Sequence, residues 1–425
     1  MHHQGDEKGV VPKTGDGADA MPVAHLKNYR ILLCGGGGYI MALMLGNPNF
    51  VLPWLSSHLG GPAFLVALIV PLMQIGQVVS ELGIGPKLQR LTQYKQVLVI
   101  AVLGLAVSML LAALATTGPS PTFAVWAILL CALVNGLFRG LYTVSSQELI
   151  AKMIHANIRG KLLAQRTTLG GLLTIVITLF YQALAPQTPH HAVLVLWIAV
   201  IAWTATALIL ETVTEHASSP GISKSIFTAL GQGVDAFRQH RWFRDFIQSR
   251  LLMTTVELAI PFYAIHATVV HDNSAQNLSV FICALSLGRV LSGPVWGPWL
   301  KTSCHLVAAS GAVLAACAGL LTLVVDTLGY LRLPYIHAIV VLILALGRQG
   351  VVQARVYYLS VRAPTSERVL YISFSTGLMG LWGMLFAFPL GWVAHVSHAS
   401  LPLMVLIGLN AITAIYVARS LRLTL

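Results

Sequence analysis

Apolar stretches of about twenty residues recur from residue 31 almost to the C-terminus, and no other feature constrains the fold as tightly. Each is long enough to cross a hydrocarbon core as a helix. They fall at 31–54, 62–84, 96–116, 122–147, 163–185, 192–212, 247–269, 277–299, 303–325, 334–357, 369–394 and 400–420. Several exceed twenty residues, which tilt accommodates. Of the 425 residues, 56% are hydrophobic and 9% charged, against roughly 25% charged in soluble domains, and a soluble core could not hide that much apolar surface. The expectation is an all-α polytopic membrane protein with twelve transmembrane helices.

Lysine and arginine placement orients these spans. If the N-terminus lies inside, the outward loops contain one basic residue, Arg332, and Arg139, Arg289, Arg348 and Arg355 lie within spans. The other 21 of the 26 basic residues then fall on the inner side or its edge. This positive-inside bias predicts both termini in the cytoplasm of a bacterial-type inner (plasma) membrane. The net charge of +12 therefore reports topology and gives no reason to expect nucleic-acid binding. Residues 1–30 read as a disordered cytoplasmic tail, with no cleavable signal. Cys34, Cys131, Cys283 and Cys317 fall within spans and Cys304 in an inner loop, which argues against an external disulfide.

The chain divides into halves, 31–212 and 247–425, joined by a polar linker over 213–246. Within the linker Ile226, Phe227, Leu230, Val234 and Phe237 recur at helical spacing, predicting a short helix lying on the inner membrane surface. The halves resemble repeats. Gly85-Pro86-Lys87-Leu88 recurs 212 positions later as Gly297-Pro298-Trp299-Leu300, and Arg139, Arg159 and Gly171 recur at 209 as Arg348, Arg368 and Gly380. Duplication of a six-helix unit follows.

Some of these residues carry a family resemblance. GPKLQRLTQYK, residues 85–95, resembles the loop between helices two and three of the major facilitator superfamily: Gly85, Arg90 and Lys95 match, whereas Gln89 and Thr92 stand where the family has Asp and Gly. SQELIAKMIHANIRGKLLAQR, residues 146–166, resembles the connection between its helices four and five through Arg159 and Gly160, and Arg139 resembles an arginine of its fourth helix. The glycine-proline signature of many exporters is absent from TTLGGLLTIVITLF, which weighs against a drug antiporter. The resemblance implies two six-helix bundles that rock about a central cavity, with the first, fourth, seventh and tenth spans lining it. Gly85, Arg90, Lys95 and Arg159 would then belong to gating loops.

The intramembrane polar residues are the site candidates, since an ionisable group there costs roughly 2.5–3.5 kcal/mol and is normally paired or turned to a water-filled path. Span four carries Asn135, Arg139, Tyr142 and Ser146 on one face. Span ten carries Arg348 and Arg355, span eight Arg289, and span two Gln74, Gln77 and Glu81. Arg139 and Arg355 have the alternative of snorkelling or locking neighbouring helices, and Glu81 and Glu148 of pairing with loop arginines. In span one the sequence GNPNF interrupts the helix at Pro48, with Asn47 and Asn49 flanking the break and the Met44 carbonyl freed. The glycine quartet Gly35 to Gly38 suits close helix packing.

Glu257 is the strongest candidate. It lies about ten residues into span seven, or about 15 Å at 1.5 Å per residue, near the midplane. Pro261, four residues on, cannot return a hydrogen bond to its carbonyl. Arg250 and Thr254 share its face, whereas His266 points away. Two roles are open: loading and releasing a proton as the cavity alternates, or a static ion pair with Arg289 or Arg348.

Three or four arginines against one central glutamate favour a small organic anion, because guanidinium matches carboxylate or phosphate in bidentate geometry. The expectation is a monomeric secondary transporter of such a solute, with no cofactor and with proton coupling through Glu257. One alternative is a carrier of a metal, a metal chelate or a siderophore, because His58, His190, His191, His271, His337, His395 and His398 lie in or beside outward loops. A non-transporting membrane receptor or assembly factor is another. No HExxH, GxSxG or Ser-Lys arrangement suggests an enzyme.

Overall fold

In the computed structural model the described residues are 23–84, 92–118, 120–184, 191–215, 226–271, 277–364, 368–398 and 400–420. Gly85 and Arg90 of the predicted gating loop, His190, and most of the predicted tail lie outside them.

The chain builds thirteen α-helices and a short 3-10 turn among the described residues. The first seven are α1 (Val23–Leu45), α2 (Val51–His58), α3 (Ala63–Gly83), α4 (Lys95–Ala115), α5 (Pro121–Met153), α6 (Ala156–Leu184) and α7 (His191–Glu211). After them come α8 (Ile226–Gln239), α9 (Arg241–Val270), α10 (Asn277–Thr327), α11 (Pro334–Arg362), α12 (Arg368–Val396) and α13 (Ser400–Ser420). Eleven segments are long and apolar enough to cross a membrane, with α10 supplying two of them, Asn277–Leu300 and Thr302–Thr327, on either side of non-helical Ser303. The first of the twelve expected crossings is divided between α1 and α2.

That first crossing departs from the expected single span at 31–54. It starts earlier, at Val23, breaks after Leu45 and ends at His58. The break keeps its polar groups engaged more fully than the position of Pro48 suggests. The Met44 carbonyl accepts a long bond from the Asn47 N–H (3.4 Å), and the Asn47 carbonyl accepts from Phe50 and Val51 at 3.0 and 2.7 Å. The Asn47 Oδ1 accepts from the Asn49 N–H at 3.1 Å, the local turn that asparagine favours. Pro261, by contrast, is accommodated inside a continuous α9.

Helices α1 to α7 form one bundle and α9 to α13 the other, and α8 packs against α9, α12 and α3. Small residues let the layers approach. A Cβ at Gly136 of α5 would lie 2.0 Å from the Met73 carbonyl oxygen of α3, and one at Gly347 of α11 would lie 2.6 Å from the Gly311 carbonyl oxygen of α10. Only glycine fits where backbones meet so closely. These contacts seat the helices that carry Arg139 and Arg348.

Among the described residues the bundles meet chiefly where α3 packs on α12, α6 on α10 and α2 on α9, with smaller contacts of α3 with α9 and of α1 with α10. At the end remote from the start of α1, the seam is tight. Ser57 and Thr268 share a hydroxyl hydrogen bond of 2.6 Å, Phe50 meets Phe281 at 5.8 Å, and Phe64 meets Phe388 and Trp392 at 5.7 Å. We call this the sealed face and the opposite one the terminal face.

Candidate functional site

Between the bundles lies a cavity of about 190 Å³. Its lining runs from Asn49 and Glu257 at mid-depth to Glu81, Arg250, Leu359 and Thr376 toward the terminal face. Arg139, Arg250, Arg348 and Arg355 oppose only two carboxylates, Glu81 and Glu257, so the formal charge of the wall is +2. The chamber draws on both halves, with α3 and α5 on one side and α9, α11 and α12 on the other.

Glu257 is held more firmly than the sequence indicates, and by a different partner. Its Oε1 takes a hydrogen-bonded ion pair from Arg355 Nη1, and its Oε2 accepts from Gln74 Nε2 of the opposite bundle at 3.1 Å. Neither Arg289 nor Arg348 makes the direct pair. Arg355 therefore locks α11 to α9. Glu81 accepts from Gln77 at 2.7 Å and lines the chamber.

Arg348 lines this cavity and a smaller adjoining one with Asn47, Asn49 and Met44, which places the broken first crossing beside it. Its Nε is buried without a partner. Among the described residues the Arg139 guanidinium reaches the Met73 sulfur alone, at 3.7 Å. Arg250 donates to Ser375 and Thr376 of α12. The sequence puts Arg250 on the face of Glu257, seven residues away, but not among the predicted binding residues, and the structure adds it to the lining.

Three predicted residues lie elsewhere. Asn135 donates to Ser108 at 2.9 Å in the contact between α4 and α5. Tyr142 stacks on Tyr39 of α1 at 3.5 Å, and Trp203 meets that ring edge-on. Arg289 points to the Met44 sulfur at 3.9 Å and is not in the cavity wall. Lys95 bridges Glu211 at 2.9 Å, while Arg159 caps the end of α5 through the carbonyls of Ala151 and Ile154. Cations suit these helix ends, where carbonyls lack intrahelical donors. Glu215 gathers the Tyr94 and Lys95 N–H groups and Lys152, tying α4 and α5 together at the terminal face. Burial first, then the charges of Glu148 and Glu215, raise the Tyr94 phenol pKa.

Among the described residues no group of three or more His, Cys, Asp or Glu side chains is placed to hold a metal ion. A larger cavity, of about 510 Å³, opens at the sealed face, but its walls come from the second bundle alone, so rocking of the bundles would not alternate its exposure.

Two helical bundles enclosing a polar chamber define a membrane transporter fold. Residues 34–387 match the Major Facilitator Superfamily, and the chain belongs to that family. Uncharacterized proteins of Mycobacterium tuberculosis and Mycobacterium bovis are 25% identical over 398 residues, spanning 90% of this chain and 75% of theirs. Among solved structures, a D-xylose-proton symporter (TM-score 0.65, 14% identity, 94% of this chain and 97% of that one) is similar throughout. So is the human organic anion transporter MFSD10 (TM-score 0.59, 14% identity, 93% and 100%). At these identities the likeness shows the fold.

Proposed function

We propose that this protein is a monomeric secondary transporter that moves a small organic anion by alternating access. In this reading both termini lie in the cytoplasm of a bacterial-type inner membrane, so the terminal face is cytoplasmic and the structure is inward-facing. The observation that carries the anion assignment is the composition of the chamber wall, four arginines against two glutamates drawn from both bundles. Such a wall raises the local concentration of anions.

The incoming anion is held first by Arg139 and Arg348, the two guanidinium groups of the wall engaged neither by a carboxylate, as Arg355 is, nor by paired hydroxyls, as Arg250 is. Arg355 is the third element. A substrate carboxylate or phosphate competes with Glu257 for it, and the displaced Glu257, losing its counter-ion in a desolvated place, takes up a proton. Release of substrate restores the ion pair and expels the proton. Pair exchange thus couples the two movements, and Gln74 carries the change at Glu257 across to α3. The Gly85 to Lys95 loop and Arg159 belong to the cytoplasmic gate.

The test is uptake into proteoliposomes of a panel of mono- and dicarboxylates and phosphate esters, with and without an imposed proton gradient. Gradient-driven uptake of at least one anion that is lost in Arg348→Gln is the expected outcome. Uptake of cationic or neutral solutes alone would overturn the anion assignment, and a protein that moves and binds no solute would favour a receptor or assembly role.

A further inference from the structure

The second bundle contains a buried ionisable cluster that the chamber does not use. At the sealed-face end, His271 Nε2 and His337 Nδ1 lie 3.0 Å apart in a hydrogen bond between the end of α9 and the first turn of α11. His266, one turn earlier on α9, meets the His337 ring edge-on at 6.0 Å and approaches Asp326 of α10 at 3.6 Å. His337 is fully buried, and His266 and His271 are nearly so. His337 Nε2 and His266 Nδ1 have no partner, although buried polar atoms are normally satisfied. The 510 Å³ cavity brings the sealed-face surface to His266 and Asp326, with Arg332 and His398 also in its wall.

The chemistry of the pair sets its capacity. A neutral imidazole pair needs one ring to donate and the other to accept. One added proton turns it into an imidazolium–imidazole bond, which is charge-assisted and stronger. A second proton would leave no acceptor between the rings. Asp326, reached through His266, is the nearest counter-charge. The first turns of α13 bring no ionisable group to this end, and α2 brings His58, which stacks on Trp54.

The cluster sits directly behind the sealed seam. The Phe281 ring lies 5.1 Å from His337, 5.6 Å from His271 and 5.8 Å from Phe50 of the opposite bundle. Thr268, three residues before His271, makes the hydroxyl contact with Ser57. We infer that His266, His271 and His337, backed by Asp326, form a one-proton binding site fed from the sealed-face cavity, and that its loading favours parting of the α2–α9 seam. A charge arriving behind two phenyl rings is poorly solvated, and it gains water when the seam opens. The site is separate from Glu257 and would operate even if that residue carried no coupling proton.

The seam can be read by spin-label distances between Phe123→Cys on α5 and Tyr335→Cys on α11, both exposed at this end, in the full chain with its five native cysteines replaced and reconstituted in lipid. Between about pH 8 and about pH 5.5 the ratio of wide to narrow distances should rise roughly tenfold, the equivalent of one pKa unit between the two states. His271→Gln and His337→Gln should flatten the profile. Should the buried variants fail to fold, His266→Gln and Asp326→Asn, nearer the cavity, should displace the midpoint. A pH-independent distance ratio in the unmodified cluster would overturn the inference, as would an unchanged profile in folded histidine variants.

Discussion

Arg139 and Arg348 stand at equivalent places in the two halves, 209 residues apart, yet their surroundings have diverged. In the first half Arg139 meets a methionine sulfur and no carboxylate. In the second half Arg348 shares its chamber wall with the Glu257–Arg355 pair, and Glu257 is further held by Gln74. Each half contributes a central guanidinium group with no carboxylate in direct contact, and the second half adds an ion pair that can be exchanged. We read the first as a binding element and the second as the coupling element.

The hardest way to break this comparison is to remove one member of the pair. Glu257→Gln leaves Arg355 facing an amide in a largely buried place, and removing one partner of a buried pair costs about 3–5 kcal/mol. The expected outcome is a large fall in melting temperature together with loss of proton-driven uptake. Glu257→Gln combined with Arg355→Gln should recover most of the stability and none of the coupled transport, a non-additivity that a double-mutant cycle measures directly. Recovery of gradient-driven uptake in the double variant would mean that the pair is only structural.

Glycine substitutions sharpen the same comparison at the level of packing. Gly136→Ala pushes α5 away from α3, and Gly347→Ala pushes α11 away from α10. Each should destabilise by about 1–3 kcal/mol, the usual range for overpacking. Because each shift displaces the neighbouring arginine, each should also weaken anion binding. Weakened binding with unchanged melting temperature would contradict the packing account.

Asn135→Ala should have a smaller effect, about 1 kcal/mol for a lost hydrogen bond to Ser108, with transport retained. Lys95→Gln should do least. Its bridge to Glu211 has one half-buried and one exposed partner at the surface, where such pairs contribute about 0–1 kcal/mol, so thermal unfolding should hardly move.

The fold is legible in the sequence because hydrocarbon demands long apolar runs and the loops advertise their side by charge. The short helix over 226–239 could be read from its spacing for the same reason. The site is legible only in part. Periodicity places Asn135, Arg139 and Tyr142 within one arc of α5, yet the three side chains go to α4, to the chamber and to α1, because a helix at the centre of a bundle has neighbours on several sides. Pairing is harder still. Which of the intramembrane arginines meets Glu257 depends on the relative depth and rotation of α9 and α11, which spacing along one chain does not encode. The His271–His337 contact spans 66 residues and is hidden for that reason.

The central claim is that the open guanidinium groups, one from each half, bind an anion. It is tested most directly by the thermal stability of the purified protein across a panel of carboxylates, phosphate esters, neutral sugars and metals, comparing the unaltered chain with Arg139→Gln and Arg348→Gln. A ligand at 100 times its Kd stabilises by about 2.7 kcal/mol through linkage alone. We predict that at least one anion raises the melting temperature of the unaltered chain and that either substitution removes the rise. Stabilisation by neutral or cationic solutes only, or an anion effect undiminished in both arginine variants, would contradict it.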